Sequence, residues 1–227
     1  MTRPAQAFNR SIWLTTAVLG LSYAVGGLHH GFFETLQGNA ATPGVLIESI
    51  GPDHVRWEYG TDGAFSIIPN FLATGVAAIL VSLAIAIWCL LFLHRRYGPS
   101  GFLGLFVLLT LVGGGIGHTV FFLTAWAYAT RMRRPLAWWG RVLRPGTTEA
   151  LGRAWLPALA ASSLLFLLAL EISVFGWVPA TRDPEVIFAV IVSALLGSLV
   201  CTHVAYVAAI SRDLDSVESR AARASAA

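Results

Sequence analysis

Five long stretches of this chain carry no charged residue, and nothing else in it constrains the fold as strongly. They run from Ser11 to Phe33, Gly63 to Leu93, Tyr97 to Thr130, Ala154 to Leu170 and Val186 to Ser211. A helix that crosses a bilayer needs about 20 apolar residues. Four runs meet that length directly, and the Ala154 run reaches it if Glu171 is tolerated, because apolar sequence continues to Pro179. The alternating polarity of a membrane β-barrel is missing. The expected fold class is therefore all-α: a polytopic transmembrane bundle of about five spans. These fall near 11–34, 65–93, 101–130, 155–177 and 186–210, within one domain (1–211), followed by a polar tail at 212–227.

Composition agrees. Charged residues make up 12% of the chain, about half the share usual in soluble domains. The first run lacks a small-residue cleavage site, so it reads as a retained helix rather than a signal peptide. All 15 basic residues are arginine, which suits a high-GC bacterial source and the plasma membrane, and excludes lysine Schiff-base chemistry. Cys89 and Cys201 lie inside apolar runs and read as packed thiols. The formal charge of +3 is explained by membrane topology, so no nucleic-acid partner is expected. The bilayer is the partner read most directly; a homo-oligomer or a partner membrane subunit would pack through glycine-rich helix faces.

Let face A be the N-terminal side and face B the other. Five spans place the loops 35–64 and 131–153 on face B. A weak repeat supports this: "GGLHHGFF" aligns with "GGIGHTVF" at an offset of 88 residues, and the same offset relates Pro69 to Pro157. It implies two parallel helical hairpins plus a fifth helix. Gly27 with Gly31, and Gly113 with Gly117, have small-xxx-small spacing, and Gly115 belongs to the same patch. Spans one and three would meet there. The competing reading makes "LVGGGIGHT" the tip of a re-entrant hairpin. The positive-inside rule favours that hairpin, because 13 of the 15 arginines then share one side. Repeat and run length favour five spans, with face B cytoplasmic, and that is the expectation carried forward. Under it the acidic first loop and the arginine-rich second loop, with Trp138 and Trp139 at headgroup level, would dock as a lid over face B.

Three histidines fall at equal depth in that arrangement. His30 lies 19 residues after Ser11, His118 lies 17 after Gly101, and His203 lies 17 after Val186. At about 1.5 Å per residue, each is roughly 25–29 Å along its helix, near face B. Glu34 shares a helix face with His30, whereas His29 points about 100° away. A ligand set of His30, Glu34, His118 and His203 suits a transition metal; His30 and His118 alone would suit a b-type haem. Glu171, placed in the hydrocarbon toward face A, is a proton-responsive suspect. Three functional classes follow: a metal- or haem-binding membrane protein, a small proton-linked transporter using Glu171, or a non-catalytic accessory subunit. Catalytic residues are not identifiable, and no phosphate-binding, dinucleotide-binding or nucleophile-elbow motif is present.

Overall fold

The computed structural model describes the backbone of residues 8–143 and 145–225, and the side chains of all of these except 145, 146 and 217–225. Helix α1 spans Arg10–Leu36. Strands β1 (Leu46–Glu48) and β2 (Gly63–Phe65) pair antiparallel in the following loop, with Ile47 opposite Ala64. Helix α2, Phe71–Ile87, ends in one π-helical turn, Trp88–Phe92. Then come α3 (Gly98–Leu111), α4 (Thr119–Ala129), α5 (Ala137–Val142), α6 (Pro145–Arg153), α7 (Trp155–Phe175) and α8 (Pro184–Ser225). Four helices are long and apolar enough to cross a membrane: α1, α2 with its π-turn, α7, and α8 as far as Ser216. The chain is mostly helical and reads as a membrane protein.

The third apolar run does not form one helix. It breaks at Val112–His118 into α3 and α4, which are too short to count as candidate spans. Both ends of the run lie at face A. The Arg133 guanidinium donates twice to the His94 carbonyl, at 3.1 and 2.6 Å, and Asn9 Nδ2 donates to the carbonyls of Arg131 and Arg134 at 2.6 and 3.0 Å. The five-span expectation is corrected here, and the physical reason is glycine. Gly113 and Gly115 adopt φ of +98° and +92°, a region closed to a regular helix of L residues. The freed backbone groups are not stranded. The Gly113 amide donates to the Phe65 carbonyl, the Ile67 amide to the Leu111 carbonyl, and the Thr74 hydroxyl to the Val112 carbonyl. Non-helical backbone at membrane depth is tolerated when protein satisfies it in this way.

The fold-back reverses every later element. Residues 131–153 lie at face A, α7 runs from A to B, and α8 returns to A. The expected lid of two docked loops therefore does not form, because the loops are at opposite ends. The two repeat segments also differ in conformation: Gly26, Gly27 and His30 are mid-helix, while Gly114, Gly115 and His118 form a turn. Residues 212–225, the polar tail, continue α8 as helix.

Helix α1 is the central post. Two thirds of its apolar window is buried (67%), against 28% for those of α2 and α8, so the latter face lipid with Leu80, Leu83, Leu196 and Val200 exposed. Its glycines permit close approach. A Cβ on Gly31 would sit 2.7 Å from the Gly75 carbonyl of α2, and one on Gly27 would strike Ser82 of α2 and Leu109 of α3. Lipid tails are as apolar as leucine, so packing and inter-helix hydrogen bonds hold such bundles. Here Ser162 meets Thr202 at 2.7 Å, Tyr206 donates to Thr16 at 3.0 Å, and Trp155 Nε1 donates to Thr15 at 2.7 Å. Both cysteines are free.

Two long helices show contrasting starts. Asn70 caps α2 by accepting from the Ala73 amide at 3.0 Å, as N-cap residues do. Asn9 precedes α1 but spends its side chain on residues 131 and 134. The cap comes instead from Asp213 of α8, whose carboxylate accepts from the Ser11 and Ile12 amides at 3.0 and 3.2 Å. Asp213→Ala should therefore cost about 1–2 kcal/mol of stability, the usual worth of a lost cap. Reversible unfolding in mixed micelles measures it; a change within error would show that water caps α1 equally well.

Candidate functional site

The loop between α1 and α2 builds the site by folding into an ordered cap over the face-B ends of the helices. Its own Ile47, Ile50 and Ala64 are buried. Trp57 Nε1 donates to the Ser173 carbonyl at 2.8 Å and Tyr59 donates to Glu185 at 2.6 Å, pinning the cap to the end of α7 and the start of α8. That bond to a carboxylate acceptor pushes the Tyr59 hydroxyl up to about 12, so it stays protonated as the donor.

Beneath the cap, four side chains form one connected line. Asp62 Oδ2 lies 3.2 Å from His30 Nε2. His30 Nδ1 lies 2.7 Å from Ser49 Oγ, and Ser49 Oγ donates to Glu34 Oε1 at 3.0 Å. Glu34 and Ser49 are 0% and 1% exposed, and His30 is 6% exposed. The line thus leads from a partly open carboxylate to a fully buried one. Since the Ser49 proton goes to Glu34, its oxygen accepts from His30 Nδ1–H. His30 then donates at both nitrogens only as the imidazolium.

The α3–α4 turn closes the far side. A Cβ on Gly115 would lie 2.7 Å from His30 Cε1, and one on Gly113 would lie 2.7 Å from Glu34 Oε1 and 2.8 Å from the Thr74 hydroxyl. These glycines leave room for the two side chains as well as turning the backbone. Glu34 Oε2 is buried with no hydrogen-bond partner among the described residues, and so is His118 Nε2. His118 starts α4 and packs against Phe106 and Phe122. A cavity of 130 Å³ lies between α1, α7, α8 and this turn. His30, Asp62, His118 and Gly117 supply its polar end, and Phe166, Leu170, Ile191 and Leu195 its apolar walls.

His30 and His118 therefore share one cavity, Glu34 joins His30 through Ser49, and His203 is elsewhere. Reversal of α8 puts His203 on the exposed outside of the bundle, beside Tyr128 near the face-A end of α4 and bonded to its own Leu199 carbonyl. The same reversal moves Glu171 from the expected face-A side to face B. There it is 53% exposed and lies 3.7 Å from His29 Nε2. As expected, His29 points away from His30. Among the described residues, no group of three or more histidine, cysteine or carboxylate side chains is arranged to hold a metal. Both nitrogens of His30 already have partners, and the cavity is smaller than the roughly 300–1,000 Å³ of sites for larger organic ligands, so a haem macrocycle does not fit.

Ser49 and Asp62 join the site from the loop, and the sequence marks neither as a site residue. The Asp62–Gly63 pair is a turn signal, and Asp62 does adopt φ +49°, the left-handed conformation that aspartate tolerates. Nothing in the order of residues shows that this turn sits over His30.

No protein-family model, curated protein or solved structure matches this chain.

Asp62 lies outside the helices. Its burial alone would raise its pKa, but the His30 imidazolium, through charge and a hydrogen bond, outweighs that and holds the carboxyl below its ordinary value. A depressed folded-state value gives stability that is present above the ordinary carboxylate pKa of about 4 and lost as pH falls through the folded value. Asp62→Asn should accordingly be less stable than the parent near neutral pH, with the gap closing as pH falls below about 4. Unfolding of both proteins across that range tests this; a gap independent of pH would mean that the His30–Asp62 contact is uncharged.

Proposed function

We propose that this is a small proton-linked integral membrane protein in which the line Asp62–His30–Ser49–Glu34, rather than Glu171, holds the exchangeable proton. The observation that carries the reading is the unbroken hydrogen-bonded contact from a partly open carboxylate to a buried carboxylate oxygen with no partner. Ionisable groups buried at membrane depth are costly and are functional suspects for that reason. Neighbouring groups coupled this closely gain and lose protons as a unit. The His30 imidazolium can give its Nδ1 proton to Ser49 Oγ as the Ser49 hydroxyl proton passes to Glu34, which leaves a neutral His30 to be recharged from the Asp62 side. The adjoining cavity admits a small molecule with one hydrogen-bonding group, which His118 Nε2 would meet.

The metal or haem reading loses His203 from its ligand set and finds both His30 nitrogens occupied. The accessory-subunit reading rested on glycine faces, and Gly27, Gly31, Gly113 and Gly115 are all used within the chain. Orientation follows the positive-inside rule. Every described arginine except Arg56 and Arg182 lies at face A, which supports a cytoplasmic face A. This replaces the expectation that face B is cytoplasmic. The relay would then open to the outer side of a bacterial plasma membrane.

Infrared difference spectra between acidic and neutral pH, on protein in lipid, test the proposal. A protonated-carboxyl band should be lost in Glu34→Gln and should shift its titration by roughly one pH unit in Ser49→Ala, which cuts the line without touching either carboxylate. Titration unchanged in Ser49→Ala, or stoichiometric metal in the same sample that is lost in His30→Ala, would overturn the reading.

A further inference from the structure

At the opposite end of the molecule the fold-back creates a second pocket that the relay does not use. The π-turn Trp88–Phe92, the start of α3 and the residues after α4 converge at face A around 600 Å³ of space. Arg95, Arg96, Arg133 and Arg134 line it, and no acidic residue does. Among the described residues, none of these four arginines has a salt-bridge partner. Like charges gathered this way repel one another, so the arrangement is stabilised by an anion.

The pocket is built rather than merely charged. Arg133 is fixed by its two bonds to the His94 carbonyl. Trp88 Nε1 donates to the Gly98 carbonyl at 2.9 Å, holding the start of α3 against the π-turn. In the first turn of α3 the amides of Gly98 and Gly101 are bonded to Arg95 and Tyr97, and proline at position 99 has none to offer. This leaves the Ser100 amide and hydroxyl at the positive end of a 14-residue helix, on the pocket wall. Below the arginines the lining turns apolar with Leu93, Trp126 and Met132. Leu90, Leu91 and Phe92 alongside are exposed on the lipid-facing flank.

We infer that this pocket binds the phosphodiester headgroup of an anionic phospholipid. Guanidinium groups pair with phosphate oxygens in bidentate fashion, and basic pockets between membrane helices on the cytoplasmic side are suited to lipid phosphates. The position decides the source of the phosphate. The arginine-lined mouth lies at the face-A end of the bundle, and the neighbouring Leu90, Leu91 and Phe92 are exposed on the flank that lipid covers, which is the level of the headgroups. The volume lies within the range of small-molecule sites. The inference is independent of the proton relay.

The full-length protein is reconstituted in nanodiscs of mixed phosphatidylglycerol and phosphatidylcholine, and the lipids retained after mild extraction are counted by native mass spectrometry. The wild type should enrich phosphatidylglycerol by roughly tenfold over the bulk mixture. The triple variant Arg95→Gln/Arg96→Gln/Arg134→Gln should lower that enrichment to near one. Arg153→Gln, which removes an exposed arginine already paired with Glu149 at 2.6 Å, should leave it unchanged. Ser100→Glu places a negative charge in the pocket without removing an arginine, and should also abolish enrichment. Inorganic phosphate added at millimolar concentration should not displace the lipid. Displacement by phosphate would overturn the lipid assignment in favour of a soluble anion. Equal enrichment in the triple variant and the wild type would overturn the site itself.

Discussion

The structure depends on one backbone event, the reversal of the third apolar run at Gly113–His118. Two glycines with positive φ make the turn, and the cap loop pays for it with hydrogen bonds to backbone that a helix would otherwise satisfy. Phe65, Ile67 and Thr74 all come from the segment between β2 and the first turns of α2. The turn and the cap therefore stabilise each other. Everything C-terminal to it inherits its direction from this point.

Both proposed sites are products of that reversal. At face B the glycines that turn the chain are the ones that leave space for His30 and Glu34. Any side chain at 113 or 115 would meet them as well as strain the backbone. At face A the two ends of the same run bring arginines from before α3 and after α4 into one pocket. A straight helix would have put them on opposite sides of the membrane. Functional polarity and charge asymmetry thus share a cause: the relay occupies the arginine-poor end, and the arginine cluster occupies the other.

Much of this was legible in the residues, and the gap is instructive. Apolar runs located α1, α2, α7 and α8. Depth counting put His30 and His118 at one level, and both line the same cavity, because α1 and α3 both run from A to B whether or not the run folds back. The same counting failed for His203 and Glu171, since one reversal inverts every later depth. Run length argued for a span and arginine counting argued for a hairpin. The electrostatic argument was the sounder one, because 34 residues without charge are enough for two short helices as well as one long one. Ser49 and Asp62 were hidden for a different reason. Their role arises from how a loop folds over a helix end, and neither periodicity nor spacing encodes that contact. The Asp213 cap on α1 is likewise a contact between chain ends, beyond any local capping rule.

The distance between Ser100 and Thr130 tests the account most directly. Spin labels at these positions, in protein reconstituted in lipid, report it by pulsed electron paramagnetic resonance. Both residues line the same face-A pocket, so the labels should lie within about 20 Å of each other, two packed helices being about 8–10 Å apart. One continuous helix through the run would separate them by about 45 Å. A distribution centred near that longer value would contradict the fold-back, and with it both sites.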